Sequence, residues 1–141
     1  MATHTYALDT SASPEAVWHI WSQPQTWSEW NPDVEFVKLD GPFAVGTTGT
    51  MRTKRGGSHT IRFEDITEGR SFQLEPTALP GAKFHFRCEI APSGGGSRIS
   101  QSLTMRGPLA GIFSGMMGAK IAASFEPILK GLETKAEATP A

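Results

Sequence analysis

Residues 97–132 read SRISQSLTMRGPLAGIFSGMMGAKIAASFEPILKGL, and their apolar period changes once, at Gly107-Pro108. Before that pair, Ile99, Gln101, Leu103 and Met105 alternate with polar neighbours, the two-residue period of a strand with one covered face. After it, Leu109, Ile112, Phe113, Met116, Met117, Ile121, Phe125, Ile128, Leu129 and Leu132 recur every three or four residues. That spacing predicts one amphipathic helix from residue 109 to about 135, roughly 40 Å long at 1.5 Å per residue. Pro127 lies inside it and should remove one backbone hydrogen bond and bend it. Gly111, Gly115 and Gly118 lower its intrinsic helicity, so packing must hold it.

Upstream, the chain reads as a meander. Phe84, Phe86, Cys88 and Ile90 alternate with His85, Arg87 and Glu89. Strand patterns are predicted at 47–55, 58–66, 70–75, 82–91 and 97–106. The breaks between them, Arg55-Gly56-Gly57, Glu68-Gly69, Pro80-Gly81 and Pro92 to Gly96, are as short as antiparallel hairpins require. Nearer the start, Tyr6 and Leu8 mark a strand at 4–10. Ser13-Pro14-Glu15 then opens a helix: Ser13 can cap, Pro14 suits the first position, and Glu15 favours the positive end. Pro24 starts a second short helix, and a strand at about 33–39 ends at Asp40-Gly41-Pro42. The expectation is α+β: a curved sheet of seven antiparallel strands, two short helices between the first and second, and one long helix at the end. It forms a single domain over 1–141, with an ordered core of about 4–135.

Bulk properties exclude several classes of function. The 141 residues carry 13 Lys plus Arg against 14 Asp plus Glu, a net charge of −1. That balance argues against a nucleic-acid or anionic-membrane binder, which needs concentrated positive charge. The one basic run, Arg52, Lys54 and Arg55, reads as a solvated hairpin tip. No apolar stretch is long enough for an integral membrane span. The start, MATHTYALDT, has no signal-peptide pattern, and a lone cysteine, Cys88, fits a reducing cytoplasm. His4, His19, His59 and His85 lack metal-ligand spacing, and phosphate-loop, dinucleotide and serine-nucleophile motifs are absent, so no metal or cofactor is expected. Nothing in the sequence sets the oligomeric state.

Several stretches together resemble the START-like, or SRPBCC, superfamily, in its polyketide cyclase/dehydrase and lipid transport branch. They are Ser11-Ala-Ser-Pro-Glu-Ala-Val-Trp18, Trp27-Ser-Glu-Trp-Asn-Pro32, Leu39-Asp-Gly-Pro-Phe43 with Gly46-Thr47, and Arg106-Gly-Pro-Leu109 through Gly118-Ala-Lys-Ile121. The resemblance spans about residues 4–135. It implies a helix-grip fold with a hydrophobic cavity under the long helix. The superfamily includes polyketide cyclases, lipid carriers, hormone receptors and cochaperone domains, and the matched stretches are fold determinants that transfer no catalytic residue.

Side-chain direction gives the candidate site. The strand lining should include Met51, Ile61, Phe63, Phe72, Leu74, Phe84, Phe86, Leu103 and Met105, closed by Phe113, Met116, Met117 and Ile121 of the helix. Methionine suits a cavity that accepts variable apolar shapes. Trp27 and Trp30 either anchor their segment to the core or form the pocket mouth. Polar groups on apolar faces need partners, which singles out His59 and Gln101. Cys88 reads as a small buried apolar residue. Lys120 falls near the helix stripe and can either reach a ligand or bend out to solvent. Asp65 shares the parity of His59, but six residues of straight strand separate them. The partner expected is a small hydrophobic ligand, aromatic or lipid-like, held by a carrier or sensor. A cyclase or dehydratase using His59, Gln101 or Lys120 is the alternative, and a cochaperone-like interaction module the second.

Overall fold

The computed structural model describes residues 2–54, 57–76 and 83–138. The chain runs β1 (Ala2–Thr10), α1 (Pro14–Trp21), a 3-10 helix (Pro24–Glu29), then β2 (Val34–Leu39), β3 (Thr48–Thr53), β4 (Gly57–Thr67), β5 (Ser71–Pro76), β6 (Lys83–Ser93) and β7 (Gly96–Arg106). A long C-terminal helix follows over residues 110–138. The seven strands form one sheet in the order β1-β7-β6-β5-β4-β3-β2, every pair antiparallel. This is the helix-grip arrangement. Arg55, Gly56 and the Pro80-Gly81 turn lie outside the described residues.

Local sequence accounts for the elements. The Ser13 hydroxyl accepts from the Ala16 amide at 3.1 Å, with Pro14 at the first helical position and Glu15 in the first turn. The β6–β7 register sets Phe84 opposite Met105, Phe86 opposite Leu103, Cys88 opposite Gln101 and Ile90 opposite Ile99. One face of that pair is therefore apolar, and it looks toward the helix, where Phe86 meets Phe125 edge-on at 6.3 Å.

A bulge in β4 overturns one parity. The register slips between Phe63 and Asp65, so Phe63 faces inward opposite Leu74 while Asp65 pairs with Gln73 on the outer face. Asp65 thus shares no face with His59; it lies 3.4 Å from Arg87.

The C-terminal helix departs from the even stripe predicted for it. Its regular turns at Ala110–Phe113 give way to a wider π turn over Ser114–Gly118, return over Ala119–Ala123, break at Ser124 and resume over Phe125–Ala138. The break lies three residues before Pro127 because that proline has no N–H for the Ala123 carbonyl and its ring crowds it. The Ser124 hydroxyl turns back to the Ile121 carbonyl at 2.6 Å. Around the π turn the inward row advances in steps of four, Phe113, Met117, Ile121 and Phe125. Met116, expected to close the cavity, is instead 65% exposed, with Ile112 and Leu109 also turned out.

Two apolar clusters fill the space between the layers. The larger joins α1, the 3-10 helix, β2 to β5 and the second half of the C-terminal helix, and includes Trp21, Trp27, Phe63, Phe72 and Leu129. The smaller lies under the first half of that helix: Phe84, Leu103, Met105, Ala110 and Phe125. Tyr6 and Phe86, each only partly buried, touch both.

Candidate functional site

The inner face at the seam between the clusters carries a polar side chain. Gln101 sits on β7 with Tyr6 of β1 on one side and Cys88 of β6 on the other. Ile99 and Leu103, two residues to either side on the same face, are fully buried, yet Gln101 keeps partial exposure. Its amide has no hydrogen-bond partner among the described residues. Phe86, diagonal to it, is likewise partly exposed between buried Phe84 and Cys88. Phe113, Met117 and Ile121 of the helix pack against the smaller cluster and are also only partly buried. The helix is tied to β1 here by a 3.0 Å hydrogen bond between the His4 ring and the Ser114 hydroxyl. Gly118 is buried against the same ring, where a β-carbon would collide with it.

At the rim, Glu126 is held below the usual carboxylate range, first by the Lys130 ammonium at 2.8 Å and to a lesser degree by the Tyr6 hydroxyl. Inside, burial pushes the Cys88 thiol up, with Glu89 adding to the effect, so Cys88 stays neutral and behaves as a small apolar group.

The expected lining residues separate into three groups. Phe86, Phe113, Met117 and Ile121 pack, partly buried, against the smaller cluster, and Gln101 lies diagonal to Phe86 on the same sheet face. Ile61, Phe63, Phe72, Leu74, Phe84, Leu103 and Met105 face inward but are packed in the two clusters. Met51 and His59 are opposite each other on β3 and β4, partly exposed, far along the sheet. Trp27 and Trp30 are in the packed core: the Trp27 indole donates to the Trp21 carbonyl at 3.1 Å and stacks on Phe72 at 5.5 Å. Tyr6 was not among the expected lining residues, although its alternation with Leu8 carried the needed parity.

The three catalytic candidates do not converge. His59 on β4 is three strands from Gln101 on β7, roughly 14 Å at ordinary strand spacing, and Lys120 is exposed on the outer side of the helix.

Two other features are off this face. A surface cleft of about 480 Å³ lies between the 3-10 helix and β2, bordered by Pro24, Gln25, Val37, Lys38, Pro42 and Phe43, and includes none of the expected lining residues. On the outer face, three strands bring together Glu64, Glu75 and His85, with ligand atoms within 4.8 Å of one another. Spacing along the sequence could not show this group. The His85 ring contacts Glu64 at 2.7 Å, and Arg62 lies 3.8 to 3.9 Å from both carboxylates, already supplying a positive charge there.

A family model described as polyketide cyclase / dehydrase and lipid transport matches residues 1–137. A search of curated proteins finds no match. Solved structures share the fold at low identity. Ara h 8.0201 is 14% identical with a TM-score of 0.77, over 98% of this chain and 99% of that one. Norcoclaurine synthase from Thalictrum flavum, in complex with dopamine and hydroxybenzaldehyde, is 14% identical with a TM-score of 0.76, over 99% of this chain and 88% of that one. MLL2253 from Mesorhizobium loti is 19% identical with a TM-score of 0.74, over 99% of this chain and all of that one, a coverage of 100%. With the fold and the match over nearly its whole length in agreement, the chain belongs to the polyketide cyclase/dehydrase and lipid transport family of the START-like superfamily.

Proposed function

We propose that this protein holds a small hydrophobic molecule, aromatic or lipid-like, between the inner face of β6, β7 and β1 and the first half of the C-terminal helix, and acts as its carrier or sensor. One observation carries this reading. An unpartnered glutamine in the middle of a covered face, with fully buried neighbours on either side, remains reachable by solvent. A filled core would have buried it, and an unpaired buried amide costs about 1–3 kcal/mol. Room beside Gln101 and Phe86 removes that cost, and a ligand's polar end can bond the amide while its body meets Phe86, Phe113, Met117 and Ile121. His59, Gln101 and Lys120 stand apart, so binding rather than catalysis is the reading the site supports.

The test is to fill the space. Native mass spectrometry with a panel of fatty acids and polyphenols should find a bound apolar compound in the wild type. Met117→Trp should abolish that binding while shifting stability by less than about 1 kcal/mol, since a core without room loses about 1–3 kcal/mol on such an enlargement. Failure of every apolar compound to bind, together with strong destabilisation by Met117→Trp, would show that the seam is closed.

A further inference from the structure

We infer that the first half of the C-terminal helix is a docking surface for an anionic lipid bilayer, resting on the reading above that the seam beneath it holds an apolar ligand. The outward side of this helix is the opposite of what a solvated helix shows. Leu109, Ile112 and Met116, at positions i, i+3 and i+7, are 39%, 60% and 65% exposed and follow one another along the surface. Gly111 and Gly115 beside them face open space.

The sequence carrying this stripe has charge of one sign. No Asp or Glu occurs between Glu89 and Glu126, whereas Arg106 and Lys120 flank the stripe; Arg98, far along β7, is paired with Asp9 at 3.2 Å. Arg106 immediately precedes the helix, Lys83 pairs with it across β6 and β7, and Lys120 follows Met116 by one turn. All three cations are exposed and have no carboxylate partner among the described residues. The net charge of −1 averages over this asymmetry, so the bulk argument against anionic membranes does not hold locally.

Apolar side chains rimmed by cations match the boundary between acyl chains and anionic headgroups, where a helix lies in the interface plane. A second copy of this chain fits less well. Two copies meeting through this face would bring the same cations together without intervening acids. The surface is also next to the proposed pocket: Phe113 and Met117 turn inward from the same two turns that carry Ile112 and Met116 outward. A bilayer in contact with Ile112 and Met116 therefore lies one helix thickness from the seam, a short path for an apolar ligand.

Sedimentation with vesicles of phosphatidylcholine, with and without phosphatidylglycerol, tests this. Binding should be at least about tenfold stronger when phosphatidylglycerol is present and should weaken as salt rises. Ile112→Ser/Met116→Ser should weaken it at least about tenfold, and Arg106→Glu/Lys120→Glu should remove the preference for phosphatidylglycerol. Both pairs are exposed, and an unchanged Tm would show that the fold is intact. Absence of vesicle binding overturns the proposal. So does equal binding by wild type and Ile112→Ser/Met116→Ser, or a wild-type dimer in sedimentation velocity that this double variant dissolves. Native mass spectrometry with the panel of fatty acids and polyphenols in vesicle-free solution, on the Ile112→Ser/Met116→Ser variant, separates the two readings. Vesicle binding by the wild type without a compound bound to the variant removes the pocket and leaves the docking surface standing; a bound compound without vesicle binding does the reverse.

Discussion

Single residues set how closely the long helix can approach the rest of the molecule. At Gly131 a methyl group would overlap the Trp30 carbonyl oxygen, a backbone atom that cannot rotate away. Gly131→Ala should therefore lose at least about 1–3 kcal/mol in a urea melt. Gly115 meets open space, so Gly115→Ala should gain up to about 1 kcal/mol from helix propensity alone. A neutral Gly131→Ala would mean that the helix does not cross the Trp30 carbonyl. Gln101 is the residue-scale test of recognition. Gln101→Leu should leave the protein at least as stable and weaken hydroxylated aromatics relative to their plain hydrocarbon analogues by about tenfold, the value of one good hydrogen bond. Equal weakening of both, in a titration followed by fluorescence, would show that the amide touches no ligand. Gln101 was legible in the sequence as a polar residue on an apolar face. Its missing partner was not, because a hydrogen-bond partner is a fact about neighbouring strands.

The C-terminal helix is the element on which fold and function both depend, and its two halves are held differently. The second half is buried along Phe125, Ile128, Leu129, Leu132 and Ala136. Its end is pinned by Glu137, which accepts from the Thr10 hydroxyl at 2.8 Å and the Ser11 amide at 3.1 Å. These bonds, the Thr10 one foremost, hold the Glu137 carboxyl below the usual carboxylate range. A carboxylate with a lowered folded-state pKa contributes stability that is present above its unfolded value and is lost as pH falls through the folded one. Thermal melts should therefore show the wild-type Tm falling more steeply than that of Glu137→Gln as pH drops below the ordinary carboxylate range. Parallel curves would show that the pin carries no stability. Among the described residues, the first half of the helix has no comparable polar anchor beyond the His4–Ser114 bond, and it carries the π turn. Periodicity read at 3.6 residues per turn located the helix but misplaced Met116, since one widened turn rotates every residue beside it.

Across the whole molecule, inward side chains range from fully buried, as at Phe63 and Leu129, to partly exposed, as at Tyr6, Phe86 and Gln101. The aromatic cluster of Trp21, Trp27, Phe43, Phe63 and Phe72 is linked by edge and stacked ring contacts. By itself the sequence determined the α+β class, the number and order of the strands, the start of α1 at Ser13 and the long final helix. Each of these follows from local period, caps and turn residues, which act over a few neighbouring positions. Only the tertiary structure decided which inward residues are fully buried and which partly exposed, where Asp65 and Met116 point, and that Glu64, Glu75 and His85 meet. A bulge or a π turn shifts facing by one residue, and contacts between distant strands follow from register, which no local pattern records.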